Sequence, residues 1–115
     1  MLPKKVLISC PTNSRKEYCL QDFLTNIRQF SYPEKYFFFC DNSHDPLFHV
    51  KEILLKGFEC GYISPHGKPN NVYICESYNA IRDYFLKGDF DYLMALEIDE
   101  FPEKDIIQEM LMYDY

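Results

Sequence analysis

Short apolar runs of strand length alternate with longer segments of helical period along this sequence, and no other feature constrains the fold as tightly. Strands interleaved with helices predict βαβ crossovers, and so an α/β fold, Rossmann-like, with a mostly parallel sheet. Val6 to Cys10 is a continuous apolar run closed by Pro11, as expected of a strand buried on both faces, with Pro11 starting a loop. From Lys16 onward Leu20, Phe23, Leu24, Ile27 and Phe30 recur at helical spacing until the breaker Ser31-Tyr32-Pro33. Aromatic Tyr36 to Cys40 reads as the second strand. Asp45 as cap and Pro46 at the first helical position then open a helix with Leu47, Val50, Ile53 and Leu54 on one face and Gly57 as its stop. A weaker third strand falls near Tyr62-Ile63. A helix follows from Val72 to Leu86 with Ile74, Tyr78, Ile81 and Phe85 on one face, then a fourth strand from Tyr92 to Leu96. Pro102 is expected to open a last helix carrying Ile106, Ile107, Met110 and Leu111.

With 115 residues, 47% of them hydrophobic and 17% aromatic, the chain suffices for one domain spanning 1–115. A net charge of −6 denies it the general basic field that phosphate-backbone binding needs, so nucleic acid is not an expected main partner. Cys10, Cys19, Cys40, Cys60 and Cys75 are odd in number, far apart and without zinc-ligand spacing; they read as reduced core residues of a cytoplasmic protein. Met1-Leu2-Pro3-Lys4-Lys5 has no signal-peptide layout, and no apolar stretch is long enough to span a bilayer. His44, His49 and His66 lack ligand spacing and are expected in surface or turn roles.

In an open parallel sheet ligands bind beyond the carboxyl ends of the strands, where strand order reverses. Three polar clusters follow predicted strands: Pro11-Thr12-Asn13-Ser14, Asp41-Asn42-Ser43 and Glu97-Ile98-Asp99. A parallel arrangement brings them to one edge. In an extended segment Glu97 and Asp99 project to one side, where their charges repel unless a cation sits between them. A hard divalent cation, Mg²⁺ or Mn²⁺, suits such oxygen ligands and would clamp a diphosphate. Plainer readings stand beside these: Asp41-Asn42 as turn formers, and the acidic segment as a solvated stretch favouring the start of the helix after Pro102.

These residues resemble the GT-A glycosyltransferases, of the broad family-two type. Val6 to Cys10 with Pro11-Thr12-Asn13 looks like that family's opening strand and base-contacting loop. Cys40 to Asp45 is similar to its Asp-Asp/Asn-x-Ser-x-Asp segment, and Tyr92 to Pro102 to its strand-plus-D-x-D segment. The likeness covers nearly the whole chain, as the first half of such an enzyme. It implies a nucleotide diphosphate-sugar donor flanked by Pro11, Thr12 and Asn13, with Asp41 and Asn42 near base or ribose and Asn79 contributing from the preceding helix. Glu97 and Asp99 would hold Mn²⁺ or Mg²⁺. Two departures stand out: Glu97 replaces the first aspartate of D-x-D, and Tyr78-Asn79 replaces Arg-Asn. No catalytic base is assigned, because the family's acceptor-binding half lies beyond these residues. Completed by an acceptor domain, the chain would transfer a sugar as a metal-dependent hexosyltransferase. The alternative is a non-catalytic nucleotide-binding or scaffold module, or a fragment. Faces left open by a missing half favour pairing with a second copy, so a homodimer is expected.

Overall fold

The computed structural model describes residues 3–113, which leaves Met1, Leu2, Asp114 and Tyr115 outside the described residues. Four strands form one sheet, β1 (Val6–Thr12), β2 (Lys35–Asp41), β3 (Glu59–Tyr62) and β4 (Tyr92–Ala95), in the order β3-β2-β1-β4. All three pairings are parallel. The helices are α1 (Glu17–Arg28), α2 (Pro46–Glu52), α3 (Asn70–Lys87) and α4 (Ile106–Met112). The α/β expectation is met, and the sheet is compatible with a Rossmann-like fold. From β1 the chain steps outward to β2 and β3, then crosses to the far side of β1 for β4, which puts the reversal of strand order between β1 and β4.

Alternation along β1 divides the interior. Val6, Ile8 and Cys10 join Leu20, Phe23, Leu24 and Ile27 of α1, with Phe39, Phe48 and Ile107, in the larger core. Leu7 joins Phe38, Cys40 and Ile81 in a smaller core under α3. The stripe expected on α1, Phe30 included, is buried throughout.

β1 runs through Pro11 to Thr12, beyond the loop start expected at Pro11. Backbone directions explain the tolerance. Thr12 O accepts from Asn42 N on the β2 side at 2.9 Å, whereas Ser9 O accepts from Leu96 N on the β4 side at 2.9 Å. Pro11 faces the same way as Ser9, past the last rung that β4 supplies, so its missing N–H breaks no ladder bond.

Other departures have local causes. Asp45 caps α2 by accepting from Leu47 N at 2.9 Å, and Gly57 ends the segment at φ 88°, but Leu47, Val50 and Leu54 are exposed while Phe48 and Ile53 are buried. Two turns that tighten into a 3₁₀ turn at Leu54–Lys56 do not keep one 3.6-residue face. β3 precedes Ile63; Ile63 N extends its ladder by donating to Asp41 O at 2.9 Å. The sheet side of α3 is Tyr73, Ser77 and Ile81, while Ile74 and Tyr78 are 39% and 45% exposed. β4 stops at Ala95, and Leu96 lies just beyond it. Pro102 does not open α4: its carbonyl accepts from Asn26 Nδ2 at 3.1 Å, tying the segment to α1, and the helix begins at Ile106.

All five cysteines are free. Burial fits Cys10, Cys19 and Cys40 to the core role, whereas Cys60 is half-buried and Cys75 is exposed, against expectation. Burial pushes the Cys40 thiol up to about 11 and those of Cys10 and Cys60 upward as well, so these thiols stay protonated. Among the described residues no helix is long and apolar enough to cross a membrane.

Candidate functional site

At the carboxyl edge of the sheet, beyond the ends of the paired strands β1 and β4, lies a cleft of about 410 Å³. Pro11, Thr12 and Asn13 line it from β1, Asn42 from the end of β2, and Glu97 and Asp99 from the segment after β4. Six of the eight residues singled out from sequence therefore meet in one cavity. Asp41 and Asn79 do not line it: Asp41 is fully buried, and Asn79 is exposed on α3.

The β1–β2 wall is a network of side chains. Thr12 Oγ1 donates to Asp41 Oδ1 at 3.0 Å, Ser43 Oγ donates to the same oxygen at 2.9 Å, and Ser43 N donates to Oδ2 at 3.3 Å. Burial pushes the Asp41 carboxyl above its usual range, opposed by these hydrogen bonds from Ser43 and Thr12. Ser43 Oγ in turn accepts from Ser14 N at 2.8 Å, joining the two loops. Asn13 Nδ2 donates to Asn42 Oδ1 at 2.7 Å, and Asn42 Nδ2 donates to buried Ser77 Oγ at 3.1 Å. Asp41 thus shapes the loop that carries Asn42 from beneath the cleft surface.

The opposite wall is built differently. Leu96 and Ile98 are buried and Glu97 and Asp99 exposed, so both carboxylates reach the cleft. The segment is not extended as the sequence reading assumed. Glu100 N donates to Glu97 O at 3.0 Å, closing a turn, and Glu97 N donates to Glu100 Oε1 at 2.7 Å. Asp99 Oδ2 lies 3.8 Å from Lys16 Nζ, both side chains about half exposed.

Sequence reasoning passed over the cations. Arg15 and Lys16 line the cleft, and Arg15 is held in place: its backbone N donates to Asn13 Oδ1 at 2.9 Å and its Nη2 to Tyr73 Oη at 2.8 Å. Tyr73 Oη in turn donates to Asn70 Oδ1 at 2.6 Å. Two basic residues directly after the Pro11-Thr12-Asn13-Ser14 cluster of an acidic chain were the available signal. Ile74 and Tyr78, the exposed face of α3, complete the apolar side. Partial burial, and then the charge of Glu97, raise the Tyr78 phenol.

A divalent cation is tested by this donor set. Among the described residues no group of three or more His, Cys, Asp or Glu is arranged to hold a metal, so the chain offers the two carboxylates Glu97 and Asp99. That matches Mg²⁺-type binding, in which one or two carboxylates are joined by substrate phosphates and water, and not a closed protein cage. Comparison with protein families, curated proteins and solved structures finds no match to this chain.

Proposed function

We propose that the cleft receives a nucleotide diphosphate-sugar with a divalent cation, as the donor half of a GT-A-type glycosyltransferase. One observation carries the reading: Pro11, Thr12, Asn13, Asn42, Glu97 and Asp99 share a cleft where strand order reverses in a parallel sheet. Pro11, with Ile74 and Tyr78 across from it, offers apolar surface for a base, and Asn13 and Asn42 offer amide groups for its edge or the ribose. Asp99, helped by Glu97, holds the cation, Mn²⁺ or Mg²⁺, whose chemistry when bound is Lewis-acid stabilisation of a leaving diphosphate. The exposed Leu93, Phe101 and Met110 around β4 are where an acceptor-binding half or a second copy would pack.

Calorimetric titration of UDP and GDP, with and without Mn²⁺, into wild type and Asp99→Ala tests this. Metal-dependent binding by wild type that Asp99→Ala abolishes is the expected result; folded wild type that binds neither nucleotide would overturn the reading. A nucleotide-binding module without transfer is the second reading, favoured by Asn79 standing outside the cleft. Release of UDP from a UDP-sugar by the wild-type chain would decide against it.

A further inference from the structure

We infer that Arg15 and Lys16 form the anion-binding half of this cleft, Arg15 as a fixed phosphate clamp and Lys16 as an exchangeable one that leaves Asp99 for the ligand. The inference rests on reading the cleft as a diphosphate site and adds the residues that recognise the phosphates.

Arg15 is restrained on neutral groups. Its guanidinium meets Asn13 Oδ1 through Nε at 3.3 Å and Tyr73 Oη through Nη2 at 2.8 Å. Tyr73 is buried and its hydroxyl is oriented by Asn70, so the anchor itself is rigid. No carboxylate pairs with Arg15 among the described residues. These two bonds use Nε–H and one Nη2 hydrogen of a five-donor fork. A guanidinium held in a cleft with free donors and no carboxylate paired to it suits the oxygens of phosphate, which Arg engages two at a time. Arg15 as a whole is exposed, so the two bonds restrain its head and leave it open to a ligand.

Lys16, next in sequence, stands across from it at 3.8 Å from Asp99. An exposed pair at that distance is weak and easily exchanged. The ammonium and a divalent cation compete for Asp99, so a cation that takes the carboxylate frees Lys16 to turn to the phosphates. Ligand, cation and Lys16 are thereby coupled through one carboxylate.

Inorganic pyrophosphate, with and without Mn²⁺, and Mn²⁺ alone are titrated into wild type, Arg15→Met, Arg15→Lys and Lys16→Met, each first shown folded by its circular dichroism melt. Arg15→Met is expected to weaken pyrophosphate about tenfold or more, and Arg15→Lys by less, because it keeps the charge and loses the fork. Lys16→Met is expected to weaken pyrophosphate about threefold and to tighten Mn²⁺ alone about threefold, since the competing charge is gone. Pyrophosphate binding to Arg15→Met as tight as to wild type, or none to wild type in either condition, overturns the clamp. Unchanged Mn²⁺ affinity in Lys16→Met overturns the exchange. If UDP with Mn²⁺ binds through Asp99 while Arg15→Met makes no difference, the donor reading stands and this inference falls. If pyrophosphate binding follows Arg15 while UDP adds nothing to it, the clamp stands and the donor reading falls.

Discussion

The two walls of the cleft are held by opposite means. On the β1–β2 side Thr12, Asp41, Ser43, Asn42 and Ser77 are buried and bond to one another, so their geometry is set by folding. On the β4 side Leu96 and Ile98 anchor a turn, while Glu97 and Asp99 stand exposed with one weak ion pair between Asp99 and Lys16. The first wall belongs to the fold and presents a preformed surface; the second keeps its charges available. Substitutions on the first wall should therefore register in stability, with binding following where they reach Asn42, and substitutions on the second in binding alone.

The largest expected stability loss is from Asp41→Ala. It leaves the Thr12 and Ser43 hydroxyls and Ser43 N without their acceptor in a buried place, at a cost of about 3 kcal/mol by urea denaturation. A loss below about 1 kcal/mol would mean that the two walls do not differ as described. Asp41→Asn removes the titration together with one of the two accepting oxygens, so its readout is the pH dependence and not the absolute stability. Because burial raises the folded-state pKa of this acid, the native state holds its proton more tightly than the unfolded chain does. The stability it confers is then fullest below its ordinary value of 3.8 and declines as pH rises through the elevated one. Wild type should lose stability relative to Asp41→Asn as urea titrations move from about pH 4 to about pH 7; parallel curves would place no titrating carboxyl there.

This division also governs what the sequence made legible. The Val6 to Cys10 run and the α1 stripe were readable because both are dense, periodic and wholly apolar. Ile81 and Phe85 of α3 pack into the smaller core as expected, but the first half of its face was misjudged by one position because the sheet side there includes Tyr73 and Ser77. Ser77 is accommodated in the core because its hydroxyl is satisfied, donating to Tyr73 O at 2.8 Å and accepting from Asn42, and neither partner is visible in an apolar pattern. That rotation is what turns Ile74 and Tyr78 toward the cleft. The start of α4 was misplaced because a proline's local preference says nothing of Asn26 capturing its carbonyl. Glu97 and Asp99 were legible from spacing, although through a turn and not an extended strand. Arg15 was not, since the residue that fixes it, Tyr73, lies 58 positions away.

Ser77→Ala is a smaller test of the same wall. It removes the acceptor of Asn42 Nδ2 and should cost about 1 to 2 kcal/mol. It should also loosen Asn42 within the cleft, so that nucleotide affinity falls along with stability. A variant that loses stability yet binds as wild type would detach this network from the site.

Asp99→Asn is the smallest in stability and the sharpest for the comparison. The pair it removes is half exposed and contributes at most about 0.5 kcal/mol, so the urea midpoint should hardly move. Asparagine keeps the shape and one oxygen but not the charge, and Mn²⁺-dependent nucleotide binding should be lost. Unfolding of this variant would make the β4 wall as structural as its opposite, whereas binding lost from a protein of unchanged stability is what separates a charge kept for a ligand from one committed to the fold.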